Sequence, residues 1–226
     1  MILIVASARD ETAAPSLALR WRDFDARVLT FADLSIAGWR YELPAGAESF
    51  AVAAGKSLRT RDITGVVSLT AGVTHHDLPH IAEPDRAYVG VEMQAFLVAW
   101  LDSLPCPVLN RPTPGCLCGP NWRRAQWIRC AAELGIPVVP LRLTTGGEAP
   151  VQPSTASVVV VVGENTLGED RLAGHARRIA RAAGVEFLEV HFDERARFAG
   201  VNLLPDLSNA PVAELVLDHL RVGVAA

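Results

Sequence analysis

Along this chain, short unbroken runs of apolar residues alternate with stretches in which apolar residues recur every third or fourth position. That alternation of strand-like and helix-like patterning predicts an α/β protein. Ile2–Ala6 is continuous and apolar, as a strand covered on both faces of a parallel sheet requires. Residues 7–12 lead into a helix expected over Ala13–Asp23, and Ala26–Phe31 reads as a second strand. Arg40–Leu43 and Ser49–Ala53 are expected to pair as a short hairpin, and Ile63–Leu69 forms a further strand. The loop after it carries His75, His76, Asp77 and His80.

The pattern sharpens in the second half. Met93, Phe96, Leu97, Trp100 and Leu101 recur at helical spacing, which predicts an amphipathic helix over Glu92–Leu104, ended by Pro105. A short strand at Pro107-Val-Leu-Asn precedes a rigid Pro- and Gly-rich loop, and Asn121 stands as N-cap of a helix over Trp122–Leu134, stopped at Gly135. Ile136-Pro-Val-Val-Pro leaves it extended. From Thr144 to Thr155 the chain is polar and rich in Gly and Pro, a linker. Val158–Val162 is five valines, a buried strand. Leu172, Ala173, Ala176, Ile179, Ala180 and Ala183 then line one helix face up to Gly184. Val185–Phe192 alternates, with Leu188, Val190 and Phe192 on one side and Phe187, Glu189 and His191 on the other. Ser208 or Asn209 caps a last helix whose Val212, Leu215, Val216 and Leu220 face the core.

Composition narrows the function classes. A formal net charge of -4 provides no broad basic field, so nucleic acid is not expected as the main partner. No apolar run reaches the ~20 residues of a membrane span. No basic segment precedes the apolar start, which reads as a strand and not a signal peptide. Cys106, Cys116, Cys118 and Cys130 are too few for a disulfide scaffold and fit a reducing cytoplasm. Lys56 is the sole lysine; a GC-rich genome produces such a bias without functional meaning, yet no ammonium side chain is available after it.

From Tyr88 to Pro140 the order of features resembles the ATP-grasp superfamily. The pieces are Glu92 in a helix, Pro107-Val-Leu-Asn-Arg-Pro, Asn121-Trp-Arg-Arg-Ala-Gln-Trp and Ala131-Ala-Glu-Leu-Gly-Ile-Pro-Val-Val-Pro. The start from Ile2 to Asp10 is similar too, as are Gly184–Phe192 and Phe198-Ala-Gly-Val-Asn-Leu-Leu-Pro-Asp, which look like the superfamily's metal-binding strands. The likeness is nearest to the graspetide (microviridin-type) peptide ligases. It implies a Rossmann-like pre-ATP-grasp domain over 1–112 and a truncated ATP-grasp-like α/β part over 113–226. It also implies activation of a carboxylate by ATP and attack of an amine or hydroxyl on the acyl phosphate. That chemistry needs cations against the triphosphate and oxygen ligands for Mg²⁺.

The departures from the family's pattern are chemical. Arg123 or Arg124 stands where the resemblance implies a helix lysine, and a planar guanidinium does not reproduce an ammonium point charge. Between Pro140 and Val158, where the family has its lysine-bearing ATP clasp, this chain has a Gly/Pro loop. At the Glu-x-Asn position it reads Gly200-Val201-Asn202. The expectation is therefore a non-catalytic or partner-dependent protein that binds a peptide, another protein or an enzyme subunit, with homo-oligomers open. No cofactor is expected; a compact active ligase would take ATP and Mg²⁺ through Arg123, Arg124, Glu189, Asp193 and Asn202.

If a metal site survives, Glu189, His191, Asp193 and Asn202 are the candidate ligands; the plainer reading is a solvated strand face. The four cysteines admit a soft-metal site, as in a metal-binding accessory protein, but have no paired Cys-x-x-Cys and read more simply as small buried hydrophobes. The His75–His80 group reads as a polar turn. Val162-Gly-Glu-Asn-Thr-Leu-Gly reads as a strand-to-helix turn that could touch a ligand, without the Lys-Ser/Thr of a phosphate loop. Trp39 and Trp122, each beside an arginine, are candidates for an interface.

Overall fold

The computed structural model describes residues 1–7, 12–42, 48–141 and 154–222. The Gly/Pro segment expected from Thr144 lies almost wholly outside them, as do Asp10 and Leu43. The chain divides into two compact units, Met1–Gly119 with Asp206–Ala226, and Pro120–Pro205.

In the first unit, β1 (Ile2–Ala6) is buried at every position and is followed by α1 (Ala13–Arg20) and β2 (Ala26–Thr30). A hairpin of β3 (Phe50–Ala53) and β4 (Lys56–Arg59) comes next, then β5 (Gly65–Ser68), α2 (Arg86–Ser103) and β6 (Val108–Leu109). The strands β2-β1-β5-β6 form one sheet with every pairing parallel. A parallel sheet is covered on both faces, which explains why β1 is an unbroken apolar run and β5 is buried at every position.

The hairpin corrects the sequence expectation. Ser49–Ala53 does not pair with Arg40–Leu43; β3 pairs with β4, and Arg40 contributes one bridge to Phe50. Ala54 and Gly55 both have positive φ (52° and 70°), the two-residue turn that matches strand twist. Lys-Ser-Leu-Arg has too little apolar character to advertise a strand. Buried Asp33 supports this corner: its carboxylate accepts from Thr30 N (2.9 Å) and Gly55 N (2.8 Å), and its carbonyl accepts from Trp39 Nε1 (2.9 Å). Trp39 in turn meets Phe96 and Trp100 edge-to-face at 5.2 Å.

The second unit holds α3 (Arg124–Glu133), β7 (Ser157–Val162), β8 (Asn165–Gly168), α4 (Asp170–Ala183), β9 (Phe187–Phe192) and β10 (Phe198–Asn202). Its sheet runs β10-β9-β7-β8, every pairing antiparallel. The extended exit of α3 joins it: Val139 N donates to Phe198 O and Phe198 N to Pro137 O. Trp127, Ile128, Ala131, Leu172, Ala176 and Ile179 from the helices close over Val159, Val161, Leu188, Val190 and Phe192.

Two further expectations are corrected here. Val162–Gly168 is not a turn from strand to helix but the hairpin of β7 and β8, turning at Gly163 with φ 58°. The N-cap of α3 is Arg123 and not Asn121, with the Gln126 side chain accepting Arg123 N at 2.8 Å. After the second unit the chain returns, and α5 (Ala210–Val222) packs on β5 of the first, with Leu220 against Gly65. A single boundary at 112/113 therefore does not describe the observed division.

Candidate functional site

The alternation along β9 buries Leu188, Val190 and Phe192 and leaves Glu189 and His191 half-buried. Cross-strand register then sets Asn202 of β10 opposite Glu189 and Gly200 opposite His191. Three of the four candidate metal ligands thus meet on adjacent strands. The fourth does not. Asp193 turns into the β9–β10 connection, where its carboxylate accepts from Arg195 N (3.0 Å), Arg197 N (2.9 Å) and Arg197 Nε (2.8 Å). The Arg197 side chain, with these backbone donors, holds the Asp193 carboxyl below the usual carboxylate range despite its burial.

The Asn202 carboxamide and the Glu189 carboxylate are also engaged. Asn202 Oδ1 accepts from Leu204 N and its Nδ2 donates to Leu204 O, both at 3.0 Å. Glu189 Oε1 lies 2.6 Å from His191 Nε2, an ion-pair separation once the ring is protonated. The geometry does not make it a hydrogen bond, so the buried Nε2 has no hydrogen-bond partner. His191 Nδ1 is 3.2 Å from Thr155 Oγ1.

Beside these residues is a cavity of about 330 Å³, lined by Trp122, Arg124, Trp127, Thr155, His191 and Gly200 with their neighbours. Arg123 is exposed at the N-cap and is not among the lining residues, whereas Arg124 is half-buried and is. Arg124 Nε is buried with no hydrogen-bond partner. Trp122 and Trp127 stand with ring centroids 4.8 Å apart, tilted by 60°. A β-carbon added at Gly200 would meet nothing within 4 Å. The cavity therefore offers a guanidinium, an imidazole and two indoles, with open space where the resemblance implies a metal-binding glutamate. Trp127 could have been found from sequence, since it lies three residues after Arg124 on the same helix side. Thr155 had no such signal, because it arrives across a long intervening segment.

Mg²⁺ demands near-octahedral oxygen ligation. Asp193 and Asn202 are spent on local turns, Glu189 abuts His191, and position 200 has no side chain, so the residues present do not fit a family-type Mg²⁺–nucleotide site. Among the described residues no group of three or more His, Cys, Asp or Glu is placed to hold a metal ion.

The remaining clusters resolve into structure. Asp77 caps its own turn, accepting Thr74 N at 2.8 Å and Thr74 Oγ1 at 2.6 Å, and Ser7 Oγ donates to it as well. His80 reaches Ser35, and His75 stacks on His76. Cys106, Cys116 and Cys118 are buried, and the sulfurs of Cys116 and Cys118 are 3.3 Å apart. Hydrogen bonding to Cys118 lowers the Cys116 thiol to about 6 and raises its partner. Trp39 is partly buried against the first core, whereas Trp122 lines the cavity.

Comparison with solved structures decides the fold. The macrocyclase MdnB from Microcystis aeruginosa MRC superposes with TM-score 0.62 at 16% identity, covering 98% of this chain and 99% of that one. The chain has an ATP-grasp fold. Macrocyclase MdnC of the same organism, bound with precursor peptide MdnA, gives TM-score 0.64 at 11% identity over 100% and 99%. The ATP-grasp ligase PsnB, complexed with a phosphomimetic variant of minimal precursor, Mg and ADP, gives 0.63 at 14% over 96% and 98%. No protein-family model and no curated protein matches the chain. No helix among the described residues is long and apolar enough to cross a membrane.

Proposed function

We propose that this protein is a peptide-binding component of a peptide-modification pathway that uses the ATP-grasp fold without running the ATP- and Mg²⁺-dependent ligation. The carrying observation is the cavity beside β9 and β10. Arg124, whose Nε has no hydrogen-bond partner, and the His191 ring paired with Glu189 line it together with Trp122 and Trp127, and Asp193 and Asn202 nearby are engaged in turns. Such a lining suits an anionic or amide group of a peptide flanked by an apolar side chain, since Trp and Arg dominate protein recognition surfaces. Several solved neighbours are complexed with precursor peptides, which supports a peptide as the partner. The Gly/Pro stretch without a lysine between Pro140 and Val158, and Gly200, support loss of the ligation.

Two measurements test this reading. Calorimetric titration with ATP, with and without Mg²⁺, is expected to give no saturable heat; Mg²⁺-dependent saturation would restore the rival reading of a compact ligase acting through Arg124. Affinity purification of the tagged chain from its native host is expected to bring down a peptide or a modifying enzyme. A chain that elutes alone overturns the proposal, and Arg124→Ala should weaken a genuine capture at least tenfold.

A further inference from the structure

Between β6 and α3 the chain runs through Cys116-Leu117-Cys118, and its backbone is tied down at each of the three. Thr113 and Cys116 exchange both backbone hydrogen bonds, at 2.8 and 3.0 Å, across Pro114 and Gly115. Leu117 N donates to Ala71 O at 2.8 Å, and the Leu117 side chain is fully buried in the first core. The Cys118 carbonyl accepts from the side chain of buried Asn110 at 3.0 Å, and the Thr113 hydroxyl donates to Gly119 O at 2.7 Å. This frame sets the sulfurs on either side of Leu117 within 3.3 Å of each other.

Two thiols in hydrogen-bond contact do not ionise alike. With Cys118 as donor, the contact stabilises negative charge on Cys116 and brings its pKa down to about 6, although burial opposes that. The same contact and its own burial push Cys118 up. At neutral pH the pair therefore presents a thiolate beside a thiol, and the thiolate is the reactive form.

We propose that Cys116 and Cys118 form a reversible redox site, oxidised by a small peroxide to an intramolecular disulfide and returned to the dithiol by a thiol reductant. The Cys116 thiolate attacks one peroxide oxygen; the O–O bond breaks, Cys116 becomes a sulfenic acid, and the departing hydroxide takes up a proton as water. The Cys118 sulfur then gives up its proton and attacks the Cys116 sulfur. The S–S bond forms as the S–O bond breaks, and a second water leaves. The pair loses two electrons and the peroxide gains them. A dithiol reverses the change by exchange and ends as its own disulfide.

Cys116 is 5% exposed and Cys118 2%, so entry is narrow and favours an oxidant close to water in size. A bond across one intervening residue closes a very short loop and draws little stabilisation from the unfolded chain, which keeps it easy to reduce. Neither cysteine lines the cavity beside β9, so this site stands independently of the peptide-binding reading.

Mass spectrometry of the folded full chain, treated with hydrogen peroxide at neutral pH, tests this. After unfolding and alkylation, the untreated chain is expected to be labelled at all four cysteines and the treated chain at Cys106 and Cys130 only. Fragmentation should place the loss of two hydrogen atoms at Cys116 and Cys118, and a dithiol should restore both labels. Cys130, less buried and with a raised pKa, is the internal reference; the pair should oxidise at least about tenfold faster. Cys118→Ser should leave a sulfenic acid at Cys116, captured by dimedone. A treated chain still labelled at four cysteines, a gain of oxygen at the pair in place of the two-hydrogen loss, or oxidation of the pair no faster than that of Cys130 would each overturn the proposal.

Discussion

The two sheets of this protein solve the same burial problem differently, and the difference decides which one leaves polar side chains at a cavity. In the parallel sheet of the first unit, β1 and β5 are buried at every residue, so no side chain there is left to meet a ligand. In the antiparallel sheet of the second unit, β9 buries one face under α3 and α4 and keeps Glu189 and His191 half-exposed on the other. A parallel sheet spends both faces on packing, whereas an antiparallel one can keep a face for recognition. The first sheet is scaffold; the second carries the cavity.

Substitutions can break this contrast, beginning with the largest effect. Trp100→Ala removes a fully buried indole packed edge-to-face on Trp39 and should cost about 3–5 kcal/mol. Urea unfolding should show loss of the first unit's transition. Gly168→Ala tests the opposite failure, overpacking in the second sheet. Gly168 has φ 128°, and a β-carbon there would sit 2.3 Å from Val158 O. Backbone strain and clash should together cost about 2–3 kcal/mol, read as a lowered thermal midpoint.

Asp193→Ala leaves Arg195 N and Arg197 without their acceptor, a loss of about 1–3 kcal/mol. Its pH dependence sharpens the point. The folded-state pKa of Asp193 is depressed, so its contribution is complete above the unfolded value near ~4 and is lost as pH falls through the lower folded one. Asp193→Asn should therefore flatten the acid limb of a stability–pH curve below about pH 4 and leave the neutral-to-basic limb parallel to wild type. Gly200→Ala is the smallest change. Nothing stands within 4 Å of the new methyl, and replacing a strand glycine should raise stability by about 0.5 kcal/mol. A destabilised Gly200→Ala would mean the space is filled in solution.

Much of this was legible in the residues. Ile2–Ala6 and Val158–Val162 form the strands their unbroken apolar runs predicted, with Val158 alone of these residues exposed. The α4 stripe from Leu172 to Ala180 also forms the buried face its spacing predicted. The β4 strand was not legible, since Lys-Ser-Leu-Arg owes its conformation to the Ala54-Gly55 turn and its partner β3. Nor was β8, where Asn-Thr-Leu-Gly is strand only because β7 lies beside it.

The sequence alone determined the local terms: the apolar periodicities, the paucity of lysine, and the glycine at position 200. Those follow from residue type and spacing, which chain neighbours enforce directly. Only the tertiary structure decided which groups remained free. It turned Asp193 and Asn202 into turn supports, brought Thr155 to His191, and carried α5 back to β5. It also left Tyr88 and Val91 of α2 exposed. Hydrogen bonds and contacts between distant residues depend on where the whole chain places each donor and face, and no window of sequence contains that information.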